Sequence, residues 1–561
     1  MHLLLVSLSL ALAVENQGSS DVVLDAAARE VDRTVAALAG KPDAPYYLAA
    51  QVTDAHDITL MAEDGALSSW QPRHSRRVDV DVRVGTPDLD SSHTLRSERP
   101  DDGSIGRTIT IDDDPAVLAR DLWRELDLRV REARERWAKV SADRTVLVEE
   151  DGAPDLAPTK AVTDIQPLVE LAFDAGPWQD IMRHASARLA GGVIRDGSAT
   201  LTATAVNEWF VASDGQRVRH GGVEYRIMLR ADAVAPDGTV LALYRSWEEV
   251  DPARLPDEAA LVAAADDLRV RLGALVAAPE QAPYTGPVVL SDRAAGVFFH
   301  EIFGHRMEGH RLKQVDNAGT FKDMVGKPVL PSFLSVVDDP TRADWNGTPL
   351  RGAYSYDDQG VPAERANLVE NGVLRGFLES RSPHAAGFVS NGHGRAQPGM
   401  RPVSRQGNLI VTASKSVTDA ALRVELIRAA KADGLPYALW IDEIQGGFTY
   451  TNRGIPNAFQ VDVLEAHRVW VDGRPDELVR GIDLIGTPLV AFSRVLLAGE
   501  SKDVFNGSCG AESGWVPVSG VAPALLVAQL ETQRKQKGQN TPPLLPPPTA
   551  PPASVNPGGA L

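Results

Sequence analysis

The stretch VFFHEIFGHRMEGH, at residues 297–310, concentrates side chains that can bind a metal ion and move a proton. His300 and His305 offer imidazole nitrogens, and Glu301 directly follows the first histidine. Zinc takes imidazole nitrogen, carboxylate oxygen and thiolate sulfur from proteins, and a catalytic zinc site keeps one position for water. A glutamate beside the first ligand is placed to take a proton from the attacking water, as in zinc proteases. These residue types predict a hydrolytic metal centre with Glu301 as its base.

The spacing of the two histidines sets a condition on the helix that carries them. Zinc proteases usually have H-E-x-x-H, whose histidines lie four apart and within about 40° of each other around a helix. His300 and His305 are five residues apart, a divergence of about 140° on an ideal helix. A one-residue π-bulge restores the facing geometry, and Gly304 lowers the cost of that distortion. If the two histidines share a metal, the helix must be bulged or kinked between them.

The alternative is a regular helix whose histidines are polar residues on an exposed face. The neighbouring residues oppose that interpretation, because they include bulky apolar side chains at Val297, Phe298, Phe299, Ile302 and Phe303. A helix this apolar is largely buried, and buried histidine and glutamate side chains need partners. A metal ion would provide them.

A third ligand has two local candidates and one distant candidate. Glu308 and His310 follow within the same stretch, whereas Cys509 lies in the glycine-rich segment NGSCGAESGWVPVSG. Cys509 is the single cysteine of the chain, so no intrachain disulfide can form. A lone cysteine is either an inert buried residue or a reactive or metal-binding thiolate, and a cation favours the thiolate because it displaces the thiol proton. The residue pattern leaves the three candidates open.

The elements around this stretch predict an α+β protein of two domains. Residues 20–280 combine amphipathic helices at 21–40, 113–140 and 168–189 with alternating strands, which predicts an N-terminal α/β domain with an antiparallel sheet. Two of its strands, YYLAAQVTD and HDITLMAED, are expected on either side of a turn. The segment APEQAPYTGP marks the boundary. Residues 281–532 hold mostly short strands bounded by turn residues, which predicts a β-rich, barrel-like C-terminal domain that carries the metal-binding helix.

The two ends of the chain differ from both domains. Residues 1–19 contain an apolar run closing in Ala-Leu-Ala, which is typical of a signal peptide and predicts export to the periplasm or the exterior, with a cytoplasmic location as the alternative. Residues 533–561 include TPPLLPPPTAPP, which predicts a disordered tail. The net charge of −19 argues against nonspecific nucleic-acid binding and against docking to anionic lipid. No other stretch is apolar for long enough to predict stable membrane insertion.

Several motifs, taken in order, resemble one known family. HEIFGHRMEG resembles the H-E-x-x-x-H helix of the TldD/PmbA metalloproteases, in their catalytic TldD-like branch. YDDQGVPAERANLVENGVLRGFLESR, SNGHGRAQPGMRPVSRQGNLIV and GIDLIGTPLVAF followed by NGSCGAESGWVPVSGVAPALLV are similar to later segments of that family. The resemblance is strong over residues 286–530 and collinear from Val22. No single motif is specific, but their combination and order are.

The resemblance implies a site, a fold and partners. It implies that Zn²⁺ is bound by His300, His305 and Cys509, that Glu301 is the base, and that an α/β domain precedes a β-barrel-like domain. It also implies a homodimer or a heterodimer with a paralogue, and unfolded or leader-type peptides as substrates, held as an added strand. His310 stands where the family has an acidic residue, so the role of that carboxylate does not transfer.

Three further residues are candidates for substrate binding. The family's Gly-Asn-Gly-Arg stretch reads Gly-His-Gly-Arg here, with His393 and Arg395, and Tyr450 follows a segment expected near the cleft. The sequence therefore predicts a zinc-dependent metallopeptidase. The alternatives are a metal-dependent hydrolase of a non-peptide amide or ester, and a catalytically silent peptide-binding subunit. The intact set of two histidines, glutamate and cysteine argues against the silent subunit.

Overall fold

The computed structural model describes residues 21–95, 105–143, 152–313, 319–449, 459–500 and 503–536. The signal-like segment at 1–19, Tyr450 and the proline-rich part of the tail lie outside the described residues. The last strand ends at Arg534, two residues beyond the predicted end of the second domain.

The N-terminal half contains four α-helices and eight strands within its described residues. They are α1 (Val22–Leu38), β1 (Pro45–Glu63), β2 (Ala66–Thr86), β3 (Leu89–Asp90), β4 (Gly106–Ile109), α2 (Pro115–Asp143), β5 (Thr163–Ile165), α3 (Gly176–Arg188), β6 (Asp196–Ala212), β7 (Arg217–Val234), β8 (Val240–Glu249) and α4 (Glu258–Ala277). A 3₁₀ turn at Pro252–Arg254 precedes α4.

These strands form a single sheet that is antiparallel apart from one pairing. The order is β3-β2-β1-β6-β7-β5, with β4 on β2 and β8 on β7, and only β5 runs parallel to its neighbour. Burial alternates along β6 and β7 because successive side chains of a strand point to opposite faces. One part of the sheet packs on α1 and α2 and another on α3 and α4. The predicted antiparallel α/β domain is therefore confirmed.

The prediction of two strands around a turn near residue 54 is wrong, because β1 is continuous over Pro45–Glu63. The polar residues that suggested a turn have partners across the sheet instead. Asp54 accepts a hydrogen bond from Arg76 Nε on β2 at 2.6 Å, so its charge is compensated from the neighbouring strand.

The helix expected from residue 168 begins only at Gly176. Val169 is held against the sheet because its N–H donates to Asn207 Oδ1 and its carbonyl accepts from Asn207 Nδ2, both at 2.9 Å. A side-chain contact across 38 residues thus overrides the local periodicity.

The C-terminal half contains the helix with the histidines and most of the short strands. Its elements are β9 (Tyr284–Leu290), α5 (Asp292–Phe299), a π-helical turn (His300–Gly304), α6 (His305–Met307), α7 (His310–Lys313), β10 (Leu334–Asp338), β11 (Asp344–Trp345), β12 (Thr348–Pro349), β13 (Ala366–Glu370), β14 (Val373–Leu374), β15 (Gly394–Arg395), β16 (Val403–Ser404), β17 (Asn408–Ala413), α8 (Asp419–Ala432), β18 (Tyr437–Thr449), β19 (Phe459–Trp470), β20 (Glu477–Val479), β21 (Ile482–Gly486), α9 (Pro488–Ser493), β22 (Val495–Ala498), β23 (Phe505–Ala511), β24 (Gly514–Val521) and β25 (Leu525–Arg534).

Five of these strands close into a barrel. They pair in the order β18-β9-β25-β21-β19, and β19 pairs back onto β18. A second sheet has the order β14-β13-β10-β17-β24-β23. The helix with the histidines lies between barrel and sheet, where α5 contacts both β18 and β24. The α+β class and the barrel-like C-terminal region predicted from the sequence are confirmed.

Phe298 anchors the histidine-bearing helix to the barrel. Its ring is fully buried and lies 5.8 Å from that of Phe459 and 5.7 Å from that of Phe492, centre to centre. We expect Phe298→Ala to lower the free energy of unfolding by about 3–5 kcal/mol, because it leaves a cavity in a closely packed core. Urea unfolding measures this loss. The control is Val424→Ala, at an exposed position of α8, which is expected to stay within about 0.5 kcal/mol of wild type. Equal losses in both variants would contradict this packing role.

Candidate metal centre

A capped turn starts the helix that carries the histidines. β9 ends at Leu290, and the hydroxyl of Ser291 accepts from the Ala294 N–H at 3.1 Å and donates to the Asp442 carbonyl at 2.6 Å. An N-cap serine satisfies a helix N–H that has no partner within the helix. The first turns of the helix are thereby fixed to the end of β9 and to β18.

The predicted distortion is present between the two histidines. The backbone forms a π-helical turn over His300–Gly304, and the His305 N–H donates to the His300 carbonyl. The two rings consequently lie on the same side of the helix in an edge-to-face arrangement, with centres 5.2 Å apart and planes inclined by 71°. Gly304 is needed for packing, because a Cβ there would lie 1.8 Å from Gln406 Oε1.

Cys509 joins the two histidines from the distant end of the domain. It lies on β23, and its Sγ is 3.4 Å from His305 Nε2. Ligand atoms of His300, His305 and Cys509 all lie within 4.8 Å of one another, and all three residues are buried. Burial opposes ionisation of the thiol, but the two imidazoles outweigh it and hold the pKa of Cys509 well below its usual value.

The arrangement of these three residues fits a divalent metal ion. Imidazoles that share one tetrahedral zinc at about 2.0–2.1 Å have ring centres about 5 Å apart, as His300 and His305 do. His300 Nδ1 is buried without a hydrogen-bond partner among the described residues, so this centre contains a polar atom that the protein leaves unsatisfied. Two imidazoles and a thiolate form a donor set that suits zinc.

Neither of the two local ligand candidates joins this cluster. Glu308 Oε2 lies 3.1 Å from the other ring nitrogen of His305, Nδ1, and accepts from Arg311 Nε at 2.8 Å. His310 Nε2 lies 3.6 Å from Glu512 Oε2. The coulombic attraction of His305 and Arg311 outweighs burial and holds the pKa of Glu308 well below its usual value. Glu308 is therefore an ionised acceptor that orients His305.

We expect Glu308→Gln to weaken zinc binding by about 10–100-fold, the usual loss when a carboxylate that orients a metal-bound histidine is removed. Competition with a fluorescent zinc chelator measures the affinity. Glu370→Gln, a surface glutamate paired with Arg375, is the matched control and should bind zinc as tightly as wild type. Unchanged affinity in the Glu308 variant would remove this orienting role.

Glu301 lies beside the three clustered side chains. Its carboxylate is 3.9 Å from His305 Nε2 and accepts a hydrogen bond from the Gly447 N–H. Burial raises the pKa of Glu301, in spite of the two neighbouring imidazoles. A carboxylate of raised pKa is a more effective proton acceptor near neutral pH.

The centre opens into a cleft of about 710 Å³. β18, the π-helical turn, β23 and β24 form much of its wall. Besides the metal-binding set, the cleft is lined by Arg311, Gln445, Gly446, Gly447, Asp462, Phe505, Ser508, Gly510, Ala511, Glu512, Trp515 and Val518. Trp515 is 65% exposed, so its aromatic side chain presents apolar surface to the cleft near Cys509.

The structure places two of the predicted substrate-binding residues inside the fold. His393 is fully buried, with its Nδ1 2.9 Å from the Asn391 carbonyl. Arg395 donates to the carbonyls of Gln406 at 2.6 Å and Pro517 at 2.9 Å. Both side chains thus have structural partners, and their role in substrate binding stays a prediction.

Arg405 is a residue that sequence reasoning missed. Its guanidinium is fully buried and donates to the carbonyls of Cys509 at 2.7 Å and Gly514 at 3.0 Å, and its Nε lies 3.4 Å from Glu308 Oε1. It therefore connects the cysteine-bearing hairpin to the carboxylate that orients His305. The segment PVSRQG gives no local signal of this position, because its partners lie about a hundred residues away in either direction.

A second group of possible ligands occurs in the described residues, at Asp54, His56 and His74. The two rings are stacked, with centres 3.8 Å apart and planes inclined by 21°, and the Nε2 atoms of both already lie within 3.4 Å of Asp54 Oδ1. Asp54 is already paired with Arg76. This group fits a hydrogen-bonded surface cluster better than a metal site.

Comparisons with known proteins agree with this geometry. Residues 283–534 match the model of the PmbA/TldA metallopeptidase C-terminal domain. A metalloprotease of Methanocaldococcus jannaschii is 29% identical over 41% of this chain and 47% of that protein. A protein of Saccharolobus solfataricus named a zinc metalloprotease TldD homolog is 26% identical over 44% of this chain and 51% of that protein. The matched region thus spans about half the length of these relatives.

The fold extends the similarity beyond the matched region. A solved structure from Thermotoga maritima, described as a suggested modulator of a DNA gyrase, covers 90% of this chain and 99% of its own, with a TM-score of 0.61 and 16% identity. TldE of Thermococcus kodakarensis covers 91% of this chain and 100% of its own, with a TM-score of 0.59 and 14% identity. At such identities the likeness shows the fold alone. The matched C-terminal domain and the named relatives support a member of the TldD/PmbA family.

Proposed function

We propose that the protein is a zinc-dependent metallopeptidase that hydrolyses peptide bonds of extended or unfolded polypeptides. One observation carries the proposal: His300, His305 and Cys509 converge within 4.8 Å, and Glu301 lies beside them in an open cleft. The metalloprotease names of the relatives support the reaction class. The donor set and the name of one relative support zinc.

In the proposed reaction, the residues around the metal centre move protons and hold one another in position. When bound, zinc supplies a Lewis acid that polarises the scissile carbonyl and makes a water molecule more acidic. Glu301 takes the proton of the attacking water and delivers it to the leaving amine nitrogen. The Gly447 N–H holds the Glu301 carboxylate in place, while Glu308 fixes the tautomer of His305 with Nε2 towards Cys509.

The form of the cleft supports an extended substrate. β23 is the end strand of its sheet, and it carries Cys509. An end strand offers main-chain N–H and C=O groups to an added strand, which gives recognition that tolerates many sequences. A folded protein would have to release a segment before its main chain could reach these groups.

Incubation with a panel of substrates tests the reaction class. We expect cleavage of a chemically unfolded protein and of short peptides, no cleavage of the same protein when folded, loss of activity with a chelator and recovery with added zinc. Cleavage of small esters without cleavage of any peptide would contradict the proposal and favour a non-peptide hydrolase.

Assembly and location are proposed from the family resemblance. We propose a dimer, either of two copies or with a paralogue, and export directed by the signal-like segment at 1–19. No helix in the described part of the chain is long and apolar enough to cross a membrane. Light scattering of the purified chain and cell fractionation test these two proposals.

A further inference from the structure

The proposed mechanism does not use Asp462, a carboxylate in the wall of the cleft. Asp462 on β19 lines the cleft and lies opposite Gly446 of β18. A Cβ at Gly446 would be 3.8 Å from Glu301 Oε1. Residues paired across neighbouring strands have Cα atoms about 5 Å apart, so Asp462 lies close to Gly446. Gly446 in turn lies beside the proposed base, Glu301.

Asp483 is a buried neighbour of Asp462. The two residues are opposite each other on β19 and β21. Asp483 is only 1% exposed; its Oδ2 accepts from Gln460 Nε2 at 2.8 Å, whereas Oδ1 is buried with no hydrogen-bond partner in the described residues. Burial raises the pKa of Asp483; the charge of Lys535 opposes that rise, and the charge of Asp462 adds to it. A cation brought to this pair would relieve both effects.

One lysine of the protein offsets part of the charge of this pair. Lys535 Nζ lies 4.0 Å from Asp462 Oδ1, and the side chain of Asp462 is 44% exposed, so this ion pair contributes little. Arg311, a cation elsewhere in the cleft wall, is already paired with Glu308 and Glu512. The exposed face of Asp462 is thus an acidic position next to the site of bond cleavage.

We propose that Asp462, backed by Asp483, selects substrates with a lysine or arginine side chain beside the bond that is cut. The inference rests on the proposed peptidase function, and it names the class of substrate. A lysine or arginine side chain reaches from the main chain of an extended peptide and donates charged hydrogen bonds to Asp462. Its charge also stabilises the ionised form of Asp483 behind it.

Pairs of internally quenched peptides that differ only by lysine or norleucine, placed in turn at each position around one scissile bond, test this selection. At one position we expect wild type to favour lysine in kcat/KM by about tenfold or more, the equivalent of one charged hydrogen bond. Asp462→Asn should reduce this ratio to near unity. Asp472→Asn, an exposed surface aspartate of the same domain, should keep the wild-type ratio. A wild-type ratio near unity at every position, or a ratio unchanged by Asp462→Asn, would overturn the proposal.

A binding measurement separates this inference from the peptidase function. Fluorescence anisotropy of the labelled peptides with zinc-loaded Glu301→Gln protein reports selection without turnover. Tighter binding of the lysine peptide, lost when Asp462→Asn is added, supports the selection even if wild type cuts neither peptide. Failure to cut either peptide would contradict the peptidase proposal and leave the selection standing. Equal binding of both peptides overturns the selection even if both are cut.

Discussion

Replacing Glu301 by glutamine is expected to reduce peptide hydrolysis by about 10²–10⁴-fold, the usual contribution of a general base, while zinc stays bound. The amide keeps the size of the side chain and the hydrogen bond from the Gly447 N–H, but it cannot take a proton from water. Glu301 is outside the cluster of three ligands, so its loss leaves the donor set intact. Initial rates on an unfolded protein substrate and the zinc content of the same sample measure the two effects.

Glu531→Gln is the matched control for this experiment, because Glu531 is an exposed residue of the same barrel. It should retain wild-type rates. Full activity in Glu301→Gln would contradict the role assigned to this carboxylate. Loss of zinc together with loss of activity would show that Glu301 acts through the metal-binding set.

Replacing Arg405 by methionine is expected to lower the free energy of unfolding by about 3–5 kcal/mol, because it removes one charged partner from a buried cluster and leaves the other charges in place. The carbonyls of Cys509 and Gly514 lose their donor, and Glu308 loses one of its cations. The loss should be larger than that of a surface pair, since neither partner can return to water without unfolding. Arg405→Lys is not expected to restore stability, because a single ammonium cannot match the fork of donors.

Arg375→Met provides the comparison. Arg375 also pairs with a glutamate, Glu370, but both side chains are about half exposed, so we expect a change within about 1 kcal/mol. Urea unfolding of both variants measures the difference. Similar losses in the two variants would contradict the buried charge cluster around Glu308.

The sequence predicted those features whose physical cause is local. The five-residue spacing of His300 and His305 required a distorted helix, and the structure has a π-helical turn at that place. The alternation along β6 and β7 and the amphipathic pattern of α1 likewise reflect the period of the backbone itself.

Features that depend on distant contacts could not be predicted from pattern alone. The continuity of β1 depends on the cross-strand partners of Asp54, and closure of the barrel depends on β18 pairing with both β9 and β19. α8 lies among segments that the turn residues marked as strands. Cys509 was only one of three candidate ligands by residue type, and the family resemblance selected it. The positions of Glu308 and Arg405 in the site became evident only from the structure.

The zinc content of the purified protein and of its Cys509→Ala variant, measured by mass spectrometry after dialysis against metal-free buffer, tests the central claim most directly. The account predicts about one zinc per chain in wild type and little or none in the variant, because removal of the thiolate leaves two imidazoles. Equal zinc in both proteins would show that Cys509 is not a ligand. Zinc in neither protein, even after zinc is supplied during purification, would contradict the metal centre itself.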